Sequence, residues 1–154
     1  MAAMNLILLR HAKAGDRIEW RGDDRQRPLT RKGLKQARQL VELLAGVPMA
    51  HVYTSPFRRC IETVQPLAAA RRLSIESVAE LMEGSDPQES LAWMLDLTES
   101  AVLCSHGDVI EGVRELLEQA GVRCAYEDYT EKGGGWLLDI QGSKVVKARY
   151  LRAP

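Results

Sequence analysis

The chain has 154 residues, of which 21 are Lys or Arg and 21 are Asp or Glu, so its formal net charge at pH 7 is zero. This length fits one domain over residues 1–154. The zero net charge argues against binding to nucleic acid or anionic membranes through the overall electrostatic field of the protein. The N-terminal apolar run is too short for a signal peptide or a membrane span, so a cytoplasmic protein is expected.

Three cysteines are too few and too scattered for a disulfide framework, and none forms a metal-binding CxxC pair. We therefore expect Cys60, Cys104 and Cys124 to be reduced thiols. The oligomeric state stays open.

Residues 5–9, NLILL, form a continuous apolar run that is typical of a strand buried on both faces. A stretch rich in Gly, Asp and Arg follows, and it predicts a long loop that ends at a helix beginning near Thr30. Apolar residues at helical spacing then predict an amphipathic helix, which Gly46 and Pro48 end.

The stretch HVYTSPFRRCIETVQ repeats this order, because a short strand again leads into a helix. Ser55 is the candidate N-cap of that helix, with Pro56 at the first helical position. Pro66 predicts a kink or a break in the same helix. The alternation in SIESVAEL, residues 74–81, predicts a third strand.

The remaining sequence predicts one more strand and helix pair and a final hairpin. PQESLAWMLDL predicts a helix, and SAVLCSHG predicts a strand. Asp108, interpreted as an N-cap, then begins another helix, which Gly121 ends. GGGWLLDI and KVVKARYL, separated by QGS, predict the hairpin. The alternation predicts an α/β fold, a three-layer α/β/α sandwich with a mostly parallel central sheet whose final strands can run antiparallel.

Polar residues follow three of the predicted strands at their carboxyl ends, where ligands bind in open α/β sheets. Arg10 and His11 follow the first strand, Ser55 to Arg59 follow the second, and His106 follows the fourth. A helix N-terminus attracts anions, and Arg59 can add a bidentate contact. Arginine and histidine at three strand ends predict an oxyanion pocket suited to phosphoryl transfer.

Three motifs occur in order: RHA at 10–12, SPFRRCIET at 55–63 and SHG at 105–107. Together they resemble the histidine phosphatase superfamily, which also contains the cofactor-dependent phosphoglycerate mutases. The chain length and the segment RPLTRKGLKQA are most similar to the SixA type of phosphohistidine phosphatase, and also to the phosphatase domain fused to Nudix hydrolases in some actinobacteria. The resemblance spans roughly the whole chain and implies the phosphoglycerate mutase-like fold without a lid insertion.

The resemblance implies that His11 is the nucleophile and becomes phosphohistidine before water releases phosphate. It also implies that Arg10 and Arg59 clamp the phosphate, with Arg58 a surface cation, and that His106 donates to the phosphoryl oxygens. An attacking imidazole must be neutral, and two nearby guanidinium groups disfavour its charged form.

The loop at residues 14–29 supplies a further candidate for the phosphate site. By resemblance, Arg27 matches an arginine that SixA-type members bring toward the phosphate. Arg17, Arg21 and Arg25 crowd the same loop, and any of them could turn inward. His51 precedes a strand at its amino end and is interpreted as structural.

The general acid has more than one candidate. Mutases and alkyl phosphatases of the family use a glutamate shortly after the third strand, for which Glu80 is the nearest match and Glu83 the competitor. Asp108 ranks below Glu80. Because imidazole can leave phosphohistidine with much less help than an alkoxide needs, a missing acid favours a substrate with an N–P bond.

These residues predict a phosphatase without metal or other cofactor, because arginines supply the positive charge. Phosphohistidine on a protein is the first expected substrate, and a small phosphorylated metabolite or nucleotide the second; no nucleic acid or membrane partner is expected. A mutase is disfavoured because the short chain leaves little to enclose the site. The alternative is a catalytically silent phosphate-binding regulatory module, against which the retention of both histidines and both clamp arginines counts.

Overall fold

Strands and helices alternate along the chain, as the sequence predicts, in a computed structural model that describes residues 3–126 and 128–154. The strands of this part of the chain are β1 (Met4–Arg10), β2 (His51–Thr54), β3 (Ile75–Ser77), β4 (Ala101–Ser105), β5 (Gly135–Gln141) and β6 (Lys144–Leu151). Its α-helices are α1 (Arg31–Leu43), α2 (Arg58–Arg71), α3 (Pro87–Leu95) and α4 (Gly107–Gln119). Short 3₁₀ helices span Asp24–Gln26 and Ala79–Leu81.

The strands of the described residues form a six-stranded sheet in the order β3-β2-β4-β1-β5-β6. The first four strands run parallel, β5 is antiparallel to β1, and β6 is antiparallel to β5 in the predicted hairpin. The mostly parallel sheet is therefore confirmed. Its central strands β1 and β4 are buried on both faces, which explains their continuous apolar sequences. That residues 1–154 form one domain stays a prediction.

Helices cover both faces of the sheet, because successive side chains of a strand point to opposite sides. Leu6 and Leu8 of β1 pack in one cluster with residues of α3 and α4. Ile7 and Leu9 pack in a second cluster with residues of α1 and α2. The predicted α/β/α sandwich is confirmed. Within the two described ranges, none of the helices combines the length and apolar character that a membrane span needs.

The prediction that Ser55 caps α2 is wrong. The helix begins at Arg58, and its N-cap residue Phe57 has no side-chain capping bond. The hydroxyl of Ser55 accepts a hydrogen bond from the Phe57 amide at 3.2 Å and lies 2.8 Å from Nε2 of His106. Ser55 is buried, so a contact across the sheet, rather than the local capping preference, decides where its side chain lies.

Asp108 is not the N-cap of α4 either. His106 occupies that position, and Asp108 lies in the first turn of the helix, where its carboxylate accepts a hydrogen bond from the Gly84 amide at 2.8 Å. An acidic side chain in the first turn still interacts favourably with the positive end of the helix dipole. The helix ends as predicted, since Gly121 follows it with a φ of 88°.

The break predicted at Pro66 does not occur, because α2 runs continuously from Arg58 to Arg71. Val64 and Leu67, on either side of the proline, are both wholly buried and hold the helix against the sheet. This packing offsets the backbone hydrogen bond that proline cannot make.

The third strand is shorter than the predicted 74–81. β3 spans Ile75–Ser77, and the chain then forms the 3₁₀ helix at Ala79–Leu81. Among the described residues, β3 lies at the edge of the sheet and pairs only with β2, whose last residue, Thr54, lies opposite Ser77. The strand therefore ends where its partner ends.

Gly33 is required where α1 meets the residues after β1. A Cβ atom at this position would overlap the carbonyl oxygen of Lys13. We expect Gly33→Ala to lower the free energy of unfolding by about 2–3 kcal/mol, the cost of overpacking against backbone. Gly46→Ala is the matched control, since nothing lies within 4 Å of its Cβ position. Urea denaturation measures both, and equal losses would contradict this account of Gly33.

Candidate active site

The three polar segments predicted to converge do meet at the carboxyl edge of the sheet. β1, β4 and β2 are neighbours, and the residues of interest follow their last positions. The amide of His11 donates to the carbonyl of Ser105 at 3.1 Å, and the rings of His11 and His106 lie 5.5 Å apart. The parallel order of the strands therefore brings the two histidines into one site.

His11 is held as a neutral imidazole with one free nitrogen. Its Nδ1 lies 2.8 Å from the carbonyl oxygen of Ala12, and because a carbonyl only accepts, Nδ1 carries the proton and Nε2 keeps its lone pair. Burial, together with the nearby His106, Arg59 and Arg10, lowers the pKa of His11 to about 3 against the opposing effect of the Ala12 bond. At neutral pH the ring is therefore uncharged, with the lone pair of Nε2 available.

Thr63 connects the first motif to the second. Its hydroxyl accepts a hydrogen bond from the amide of Ala12 at 2.9 Å and donates to the carbonyl of Arg59 at 2.7 Å. The threonine is wholly buried. It therefore fixes the backbone next to His11 against the helix that carries Arg59.

His106 is oriented by residues of the second motif. Its Nε2 lies 2.8 Å from Oγ of Ser55 and 3.5 Å from Sγ of Cys60, and the ring of Phe57 packs edge-on against it at 4.8 Å. Ser55 Oγ already accepts from the Phe57 amide, and its own proton can go to Nε2. In that arrangement Nδ1 of His106 carries a proton and is a donor.

Three nitrogen atoms around His11 are buried and have no hydrogen-bond partner among the described residues. They are Nε of Arg10, Nε of Arg59 and Nδ1 of His106. All three side chains are close enough to His11 to lower its pKa. Buried donors without partners are rare and costly, so this group indicates a site for an anion.

Three of the other nitrogens of the two arginines are engaged. Nη1 of Arg10 donates to the carbonyl of Thr130 at 2.7 Å, and Arg59 donates to Asp24 through Nη1 and Nη2, to the carbonyl at 2.8 Å and to the carboxylate at 3.1 Å. Burial lowers the pKa of Arg10, although Glu111, Tyr150 and Asp108 oppose this effect. The engaged nitrogens hold both guanidinium groups in place.

Asp24 is a site residue that the sequence analysis missed. Its carboxylate accepts from Nε of Arg27 at 2.9 Å as well as from Arg59. Burial alone would raise the pKa of Asp24, but the Arg27 bond and the charges of Arg59 and Arg27 hold it below its usual value. The available signal was its position three residues before Arg27, at the first turn of a 3₁₀ helix.

Of the two candidate glutamates, the structure brings Glu83 and not Glu80 to the site. Oε1 of Glu83 lies 3.3 Å from Nη2 of Arg59 and 3.8 Å from Nδ1 of His106. Glu80, which the sequence analysis ranked first, lies in the 3₁₀ helix at Ala79–Leu81 and is not among the residues that line the pocket. Asp108 lines the pocket, with its carboxylate bound to the Gly84 amide.

Two of the loop arginines line the pocket. Arg27 is buried and donates to Asp24, and Arg17 donates to Glu83 at 2.9 Å. Arg25 instead pairs with Asp23 at the surface, and Arg21 is exposed. The remaining interpretations agree with their positions: Arg58 is half-exposed and pairs with Glu62, and His51 pairs with Glu99 at the amino end of β2.

The resulting pocket has a volume of about 740 Å³ and combines Arg10 and His11 with the loop residues. A comparison with family models places these residues in a known family. The sequence model of the histidine phosphatase superfamily (branch 1) matches residues 6–86, more than half of the chain. The chain belongs to this superfamily. The membership predicted from the three motifs is confirmed.

Histidine phosphatases with related sequences and structures include enzymes of several kinds. The chain is 33% identical over 156 residues to the 8-oxo-(d)GTP phosphatase of Mycolicibacterium smegmatis, an alignment that covers 97% of this chain and 48% of that protein. The chain thus spans about half the length of the curated relative that it matches. The family and this relative support a phosphatase activity.

The fold is shared with solved phosphatase structures. The protein histidine phosphatase SixA complexed with tungstate superposes with a TM-score of 0.76 at 24% identity, over 96% of this chain and 94% of that one. A phosphoserine phosphatase mutant from Entamoeba histolytica, in complex with phosphoserine, superposes with a TM-score of 0.70 at 16% identity, over 93% and 94%. At these identities the likeness shows the fold alone.

The low pKa of His11 has a consequence for stability. The unfolded chain binds a proton at this residue as the pH falls through 6.5, whereas the folded protein does so only near 3. The free energy of unfolding therefore decreases as the pH falls from about 6.5 toward 3. We expect the wild type to lose about 2 kcal/mol more unfolding free energy than His11→Asn between about pH 8 and pH 5. Urea denaturation across this pH range tests it, and parallel curves for the two proteins would contradict a buried neutral His11.

Proposed function

We propose that this chain is a phosphohydrolase that acts through a phosphohistidine at His11. Nε2 attacks phosphorus, a bond to nitrogen forms, and the bond from phosphorus to the leaving group breaks. Water then attacks the phosphohistidine, which releases orthophosphate and restores the neutral imidazole. The observation that supports this proposal is the neutral ring with a free Nε2, accompanied by three buried nitrogens without partners.

The arginines and His106 would hold the phosphoryl group during both steps. Arg59 and Arg27 are buried and Arg10 is half-buried, so their attraction for a phosphoryl group is stronger than it would be in water. His106 would donate from Nδ1. These groups supply the positive charge that Mg²⁺ supplies in other phosphoryl-transfer enzymes, and we therefore propose that the reaction needs no metal.

Glu83 is the carboxyl group proposed to protonate the leaving group. It contacts Arg59 and Arg17, both of which a phosphoryl group would also attract. An acid in this place makes oxygen leaving groups accessible, whereas a phosphohistidine substrate needs one less.

A small phosphorylated molecule is therefore the first proposed substrate class. The name of the similar M. smegmatis protein makes a nucleotide a reasonable member of that class to test. Phosphohistidine on a protein is the second candidate. It is favoured by the short segment 82–86 between the second 3₁₀ helix and α3, which adds no helix over the pocket.

The central experiment is to trap the phosphoenzyme. The protein is incubated with acetyl phosphate or p-nitrophenyl phosphate in the presence of EDTA, and the expected result is turnover together with an acid-labile, base-stable phosphoryl group on His11. His11→Ala should lose both the label and the turnover. If the wild type gives neither, the catalytically silent phosphate-binding module is the better description.

A second experiment tests Glu83 against Glu80. We expect Glu83→Gln to lower kcat about 100-fold for glycerol 2-phosphate, whose alkoxide must be protonated, and only a few-fold for p-nitrophenyl phosphate, whose phenolate leaves readily. Glu80→Gln is the matched control and should leave both substrates nearly unaffected. A substrate-selective loss in the Glu80 variant instead would assign the proton to that residue.

A further inference from the structure

The pocket contains a second group of cations that the proposed mechanism does not use. Lys13 and Lys132 line the same pocket of about 740 Å³ as Arg10 and His11. Across residues 3–126 and 128–154, neither ammonium group has an ion-pair or hydrogen-bond partner, whereas Arg17 and Arg27 are both paired with carboxylates. These two lysines are therefore available to a ligand.

One buried side chain joins the backbones of these two exposed lysines. The amide of Lys13 donates to Oε1 of Gln36 at 3.0 Å, and Nε2 of Gln36 donates to the carbonyl of Lys132 at 3.3 Å. Gln36 is only 7% exposed. Next to Lys132, the Gly133 amide donates to the carbonyl of His11 at 3.0 Å. Both lysines are thus built onto the backbone that carries the proposed nucleophile.

The surroundings disfavour the charged form of Lys132 unless an anion is present. Burial lowers the pKa of Lys132, and so do the charges of Arg10, Arg27 and Lys13, with Arg17 adding to them. The pocket also contains three carboxylates, but each has a donor nearby already. Asp16 accepts from the Ile18 amide, Glu83 from Arg17 and Arg59, and Asp108 from the Gly84 amide.

We propose that Lys13 and Lys132 form a second phosphate subsite beside the one at His11, so that the preferred substrate carries another phosphate group next to the one that is transferred. This inference rests on the proposed function and narrows its substrate class. The shared chemistry is two neighbouring phosphates, which can be joined directly in a diphosphate or attached to separate carbons. A phosphohistidine peptide without a second phosphate would leave the subsite unused.

The test compares inhibitors that cannot be hydrolysed, using p-nitrophenyl phosphate turnover as the readout. Methylphosphonate carries one phosphonate, methylenediphosphonate carries two in the spacing of a diphosphate, and 1,3-propylenediphosphonate separates them further. We expect one of the diphosphonates to inhibit at least about tenfold more strongly than methylphosphonate, and the arm that does so identifies the spacing. In Lys13→Met/Lys132→Met this ratio should fall to about twofold or less.

A matched control has the same change in charge away from the pocket. Lys32→Met/Lys35→Met removes two exposed lysines of α1 and should keep the wild-type ratio and turnover. Gln36→Leu, checked for folding by circular dichroism, should lower the ratio while keeping both lysines. Equal inhibition by one and two phosphonates in the wild type, or an unchanged ratio in the pocket variant, would overturn the subsite.

Failure of this inference is distinguishable from failure of the proposed function. If the wild type does not turn over p-nitrophenyl phosphate, the phosphohydrolase proposal fails, and calorimetric titration with the same phosphonates still measures the ratio. If the affinity ratio of diphosphonate to methylphosphonate falls in Lys13→Met/Lys132→Met, the titration supports the subsite. If the ratio is unchanged, the titration rejects the subsite.

Discussion

A wholly buried guanidinium, that of Arg59, joins the parts of this site to one another. A buried charge without partners is strongly unfavourable, so the fold must bring anions to it. The carboxylates of Asp24 and Glu83 lie 3.1 and 3.3 Å from its Nη2 atom. One comes from the loop before α1 and the other from the segment after β3, so both segments are anchored on one side chain of α2.

The same ion pairs connect anion binding with proton supply. Under the proposed mechanism, a phosphoryl group competes with Glu83 for Arg59. Burial and neighbouring cations disfavour the protonated form of His11. A proposed proton donor and a neutral nucleophile can therefore share one pocket.

Much of the fold and the cationic half of the site could be predicted because each depends on a local pattern. Apolar runs mark the strands, and a parallel sheet then brings residues at the strand ends, such as His11 and His106, together without further information. The errors involve contacts between distant segments. Ser55 and Asp108 have capping chemistry, yet His106 and Gly84 are their partners. Which acid of a loop turns inward likewise depends on the path of the backbone, and no local pattern distinguishes Glu83 from its neighbours.

Substrate preference is a separate question from the chemistry of the motifs. The structural neighbours share one fold, but one is named a protein histidine phosphatase and another a phosphoserine phosphatase. The pocket is cationic, but the chain as a whole has zero net charge. Its net charge therefore does not attract anions from a distance. Screening limits attraction by the pocket itself to about 8 Å at physiological salt. Discrimination among phosphorylated ligands must therefore occur on contact, through the side chains next to His11.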